Sequence, residues 1–148
     1  MKQPDSMDVG TRMDVAMHRL HMAKEDLDTA YLTFNAGQYR GANNRAYYSI
    51  YHTISAVIAK EGVAFKRHKD TLGYFNKNYI STEVFPKELG RKIVKAEEIR
   101  HVSDYDAFYI ASKDVTVQQI ESKHEIIRIY ESSIIFDTIA PNQGRYCL

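Results

Sequence analysis

The sequence predicts an all-α protein, an up-down bundle of four long helices and one short one. Three observations lead there. Apolar residues recur at helical period through most of the chain, no segment sustains the alternation of a strand, and Gly37, Gly62 and Pro86 punctuate short links. Nothing in the sequence marks a repeat, a low-complexity tract or a linker, so residues 1–148 read as one domain with a core over about 11–138 and loose tails.

The first helix is expected over Thr11–Ala36. Met13, Met17, Leu20, Leu27, Tyr31 and Phe34 form its stripe, Ala16, Ala23 and Ala30 fill it, Thr11 with Asp14 resembles a capping pair, and Gly37 is the stop. The second helix runs from about Tyr39 to Glu61 and ends at Gly62. A basic connection, Val63 to Lys69, leads to a short third helix over Lys69–Tyr79 with Leu72, Phe75 and Tyr79 inward. Pro86 suits the first turn of a fourth helix that reaches about Ser103 with Leu89, Ile93, Ala96 and Ile99 inward. Ser112 is a good N-cap for a fifth, which continues to about Thr138 and carries Ile120, Ile126, Ile127, Ile129, Ile134 and Ile135.

Composition narrows the class. The 148 residues are 44% hydrophobic and 26% charged, as in soluble globular proteins. The N-terminus has no apolar stretch of the signal-peptide kind, and no apolar run approaches the ~20 residues of a membrane span, so a cytoplasmic protein is the expectation. Cys147 is the only cysteine, which rules out an internal disulfide. Net charge is only +1, but residues 38–101 hold twelve basic and six acidic side chains while both flanks are acidic. That middle section would welcome a polyanion. Glycine-rich phosphate loops and paired metal-binding histidines are absent, so neither a cofactor nor a metal site is expected.

The second helix carries the chemistry. From Ala46 to Ala59 it contains no Asp, Glu, Lys or Arg. Seven residues make two helical turns, so Arg45 and His52 share a face, about 10.5 Å apart along the axis, with Ser49 between them, Tyr48 beside them and Ala56 beyond. Ala46, Tyr47, Ile50, Ile54, Val57 and Ile58 form an opposite, core-facing stripe. A second face of small and polar residues without Lys or Glu calls for a cover: another helix, a partner or a ligand. Two readings of the pair stand. In one, His52 is a satisfied buried histidine and Arg45 bonds a carboxylate. In the other, Arg45 is the fixed cation and His52 the proton carrier of a phosphate site.

The run Asn43-Asn44-Arg45-Ala46-Tyr47-Tyr48-Ser49-Ile50-Tyr51-His52 resembles the signature helix of HEPN-domain proteins. His68-Lys69, Pro86-Lys87-Glu88-Leu89-Gly90, and Arg100 followed by Asp104-Tyr105-Asp106 are similar to a small single-domain subfamily, and together the likeness spans residues 16–136. It implies a helical bundle, often dimeric. Many members carry Arg, four to six residues, then His, and act as metal-independent ribonucleases; six residues separate Arg45 from His52. Many prokaryotic members are toxins paired with a small nucleotidyltransferase antitoxin of the MNT type, and some antitoxins attach AMP to a toxin tyrosine. This chain departs from the nuclease pattern at Ala46, where a polar residue usually follows the Arg and would help orient the pair; Asn44 is the candidate substitute.

The expectations are therefore Arg45 and His52 as catalytic residues, and Asn44, Tyr48, Ser49, Lys66, His68 and Arg100 as supports or as contacts to RNA or phosphate. Arg100–Asp106 is expected beside them, with Tyr105 exposed as a modification target. A homodimer through the Arg45–His52 side would cover the charge-free face. It would also let Arg45 of one copy meet His52 of the other across a two-fold axis. The alternative to an enzyme is a HEPN scaffold that binds a nucleotide or a partner without turnover.

Overall fold

The computed structural model describes residues 9–106, 108–121 and 126–128. Helix α1 is Val9–Asn35, α2 is Tyr39–Ala59, α3 is His68–Phe75 and α4 is Lys87–Tyr105. Residues 113–121 form α5, and residues 126–128 are also helical. No strand occurs among the described residues, and none of their helices is long and apolar enough to cross a membrane. The expected tails, Ile129, Ile134, Ile135 and the end of the fifth helix near Thr138 lie outside the described residues.

Glycine stops the first two helices in the same way. Gly37 has φ +78° and Gly62 has φ +75°. Gly37 N–H donates to the Phe34 carbonyl and Gln38 N–H to that of Thr33. Gly62 N–H donates to Ala59 and Val63 N–H to Ile58. Each pair is a Schellman arrangement, in which a left-handed residue lets the chain turn back onto the last free carbonyls. Thr11 lies inside α1, so the expected Thr11–Asp14 cap is not at the helix start. Pro86 is the N-cap of α4 rather than part of its first turn. Ser112 does cap α5: its Oγ accepts from Val115 N–H at 3.2 Å. The expected single helix to Tyr79 is instead α3 followed by a wider π-helical turn, Asn76–Ile80, closed by Ser81 N–H on the Asn76 carbonyl. The wide turn buries Tyr79 and Ile80 together, and Phe75, Tyr79 and Phe85 stack there.

Helix α2 is the centre of the bundle, with 13 of its 21 residues buried. On one side Tyr47, Ile50, Ile54, Val57 and Ile58 pack with Phe75, Tyr79, Phe85, Leu89, Ile93 and Ala96. On the other, Ala42, Ala46 and Ala56 pack with Leu20, Ala23, Leu27 and Ala30 of α1 and with Ile120. The small residues let α1 and α2 approach closely. Contacts such as Arg19 to Ser55 and Asp26 to His52 run in opposite sequence directions, so the pair is antiparallel. Contacts of Arg40 with Asp106 and Asn44 with Asp104 set α4 antiparallel to α2. The charge-free second face of α2 is thus covered by α1 of the same chain. The need for cover that motivated a dimer there is met within the monomer.

Two glycines of α2 and its stop make opposite predictions. Gly41 is helical and a Cβ there would meet nothing within 4 Å. Gly41→Ala should raise the urea unfolding free energy by about 0.5 kcal/mol through lost unfolded-state freedom. Gly62 is left-handed, and its Cβ would stand 2.8 Å from Arg12 Nε. Gly62→Ala should cost about 1–2 kcal/mol. Equal changes of the same sign would contradict this account of the helix end.

A candidate active site on one carboxylate

Asp26 joins the two residues singled out on α2. Its Oδ1 accepts from Arg45 Nη1 at 3.2 Å, and its Oδ2 accepts from His52 Nδ1 at 2.6 Å. The Asp26 side chain is 13% exposed, His52 20% and Arg45 38%. A carboxylate this sheltered requires partners, because desolvation without them would cost several kcal/mol. The arrangement follows from helix geometry. Asp26 stands three residues after Ala23 and four before Ala30, on the α1 stripe that faces α2. The long Arg45 side chain and the shorter His52 ring reach it from positions two turns apart. Since a carboxylate only accepts, the His52 proton sits on Nδ1, and a neutral His52 keeps its lone pair on Nε2.

Their heads therefore converge within one chain. The axial separation that argued for a two-chain Arg45/His52 pair does not keep them apart, because the side chains end on the two oxygens of one carboxylate. Sequence reasoning missed Asp26. The available signal was a carboxylate at a position of the first helix where the stripe otherwise holds Ala and Leu.

A second layer fixes Arg45. Asn44 Oδ1 accepts from Arg45 Nη2 at 3.1 Å, and Asn44 Nδ2 donates to Asp104 of α4 at 3.2 Å. Arg45 also lies over the Tyr48 ring, 4.8 Å from its centroid. Arg100 approaches the same ring at 5.6 Å and that of Tyr47 at 5.1 Å. Its Nε is 3.2 Å from Asp104 Oδ2, an ion pair too bent to count as a hydrogen bond. Ala46 is buried against α1 and α5, where a polar side chain would lose water. Asn44 and Asp26 hold the guanidinium instead.

His68 completes the cluster from the start of α3. It stacks on Tyr51 with centroids 3.8 Å apart, and its Nδ1 is 3.1 Å from the Tyr47 hydroxyl. Burial, then the Arg100 charge and His52, lower its pKa below the ordinary 6.5. Burial, with help from Glu97, pushes the Tyr47 phenol up to about 12, so it stays protonated and suits a neutral His68 that accepts at Nδ1.

The other expected residues divide clearly. Tyr48, Asn44, Arg100 and His68 meet Arg45 and His52 around the tyrosine rings. Ser49 does not belong to a ligand surface: it is fully buried and donates to the Ala46 carbonyl at 2.8 Å, so it corrects the expectation of a phosphate contact. Lys66 is exposed in the link before His68, and among the described residues no hydrogen bond or ion pair ties it to the cluster. Tyr105 is 71% exposed one residue beyond Asp104, with its ring against His101. Among the described residues no group of three or more His, Cys, Asp and Glu side chains is placed to hold a metal ion.

A family model describing the HEPN domain matches residues 16–133. A protein named "UPF0332 protein" from Thermotoga maritima is 34% identical over 83 residues, which cover 56% of this chain and 63% of that protein, less than two thirds of its length. Two proteins of Methanocaldococcus jannaschii, each named "Putative toxin", are 28% identical over 120 residues and 27% over 125. Those matches cover 81% and 84% of this chain, and 82% and 85% of the relatives.

The lowered His68 pKa carries a sign. Below pH 6.5 the unfolded chain takes up a proton that folded His68 resists, so stability falls as the pH drops until the folded value is passed. Urea unfolding at about pH 7.5 and about pH 5.5 should therefore show the wild type losing more stability than His68→Asn. Equal losses would mean that Arg100, His52 and burial do not act on His68 as described.

Proposed function

Because the chain belongs to the HEPN domain family, we propose that it is a toxin-like ribonuclease that cleaves RNA without a metal ion through Arg45 and His52. The observation that carries this reading is the shared Asp26 carboxylate, which holds a cation and an imidazole side by side. His52 Nε2 takes the proton of an RNA 2′-OH, and Asp26 stabilises the resulting imidazolium. The 2′ oxygen bonds to phosphorus, the bond to the 5′ oxygen breaks, and a 2′,3′-cyclic phosphate is left. Arg45 holds the non-bridging oxygens while charge builds on them. The leaving 5′ oxygen takes its proton from solvent, because the neutral His68 that accepts at Nδ1 has no acidic proton to give.

The proposal includes a cytoplasmic setting, a homodimer and control by an MNT-type nucleotidyltransferase antitoxin. Its ground for the dimer is the partly exposed Arg45–Tyr48 edge, which the same edge of a second copy would cover without supplying a residue to the in-chain pair. Tyr105, exposed beyond the Asp104 end of the network, is the proposed site of AMP attachment. A non-catalytic nucleotide- or partner-binding module is the second reading. It is favoured by the fact that Arg45 and His52 are both satisfied inside the chain.

Purified protein incubated with RNA in EDTA separates the readings. His52→Ala and Arg45→Ala should each slow cleavage by roughly 10²–10⁴-fold while the helical circular dichroism spectrum persists. Mixing the two variants should restore nothing, because each remaining site lacks one member of the in-chain pair. Restored activity would mean a site shared between copies. Wild-type cleavage by His52→Ala would leave only the binding module.

A further inference from the structure

Arg19 is the cation that the site just described does not use. It stands seven residues before Asp26 on α1, one α2-facing stripe closer to the start of the chain. Its guanidinium is half-buried, and burial lowers its pKa. Nη1 donates to the Ser55 carbonyl at 3.3 Å. Arg45, Arg67 and Arg100 each have a carboxylate within 3.2 Å. Among the described residues Arg19 has none, although a sheltered charge ordinarily requires one.

The guanidinium borders a cavity of about 200 Å³ whose lining includes His52. Tyr51, Met22, Ile58 and Phe65 are part of the same lining. A phosphate would gain nothing from the apolar part of that surface and would leave much of the space empty. A flat aromatic base would use both, and base contact with aromatic side chains is worth on the order of 1–3 kcal/mol. With Nη1 engaged on Ser55, the guanidinium keeps further N–H donors free for a molecule that enters the cavity it lines. Among the bases guanine presents two adjacent acceptors, O6 and N7, which match the arginine fork; adenine places an amino donor beside N7.

We propose that this cavity is a guanine subsite, in which Arg19 reads the base of the nucleotide whose 2′-OH is presented to His52. Cleavage then falls on the 3′ side of guanosine. The location of the cut rests on the ribonuclease reading, whereas the base preference of the pocket does not.

The test uses the full chain and guanosine, adenosine, cytidine and uridine 3′-monophosphates, titrated by calorimetry in EDTA. Guanosine 3′-monophosphate should bind at least about fivefold more tightly than the adenosine form. Arg19→Met should erase that preference. Ala64 lines the pocket yet is exposed, so Ala64→Phe should obstruct the pocket and weaken guanosine binding without touching the Arg19–Ser55 bond. Equal affinity for all four nucleotides, or a guanosine preference that survives both substitutions, overturns the subsite. Mapping of RNA 3′ ends divides the remaining cases. Cleavage in EDTA at sites unrelated to guanosine sinks the subsite and leaves the ribonuclease. Selective guanosine binding with no cleavage at all keeps the pocket and sinks the ribonuclease.

Discussion

Asp26 is the group on which the site depends. A carboxylate sheltered from water is tolerated only when its charge is answered, and here two side chains answer it. That single constraint fixes three things at once: the His52 tautomer, the position of the Arg45 head, and the meeting of two residues that stand two helical turns apart. The apolar packing of α2 supplies the rigidity. Ile50, Ile54 and Ile58 are at most 1% exposed, and burying each contributes about 1.5–3 kcal/mol, so the helix that carries the site is held independently of it.

The constraint reaches across three helices. Asp26 of α1 holds Arg45 of α2, Arg45 bonds Asn44, and Asn44 bonds Asp104 of α4, which pairs with Arg100. Both guanidiniums also lie against the Tyr48 ring, Arg45 at 4.8 Å and Arg100 at 5.6 Å from its centroid. Polar networks of this kind are costly when incomplete, and this one passes along the edge of the bundle where water can still reach it. The end of α4 is thereby coupled mechanically to Arg45, and exposed Tyr105 adjoins that end.

Much of this was legible from periodicity. The stop of the second helix at Gly62, the inward residues of α4 and most of the two faces of α2 follow from local spacing; Ala46, expected with Tyr47 and Ile50, packs instead on the α1 side. Asp26 was not legible in that way, because its partners are 19 and 26 residues distant and no local period announces such a pair. Ser49 shows the opposite error. Its face was assigned correctly, but the face belongs to α1, and a hydroxyl buried there bonds its own helix. The same cover removes the argument that a partner is needed to hide a charge-free surface. Arg19 was passed over because a lone arginine in an amphipathic helix looks like ordinary solvated charge until its burial and missing carboxylate are seen.

The account centres on Asp26 holding His52 with its proton on Nδ1. Long-range ¹⁵N–¹H correlation spectra of the histidine rings at about pH 8, where an ordinary imidazole is neutral, read this directly. The prediction is a neutral His52 protonated at Nδ1 with the lone pair on Nε2, and loss of that preference in Asp26→Ala. A wild-type His52 protonated chiefly at Nε2 would contradict the Asp26 bond and with it the in-chain site.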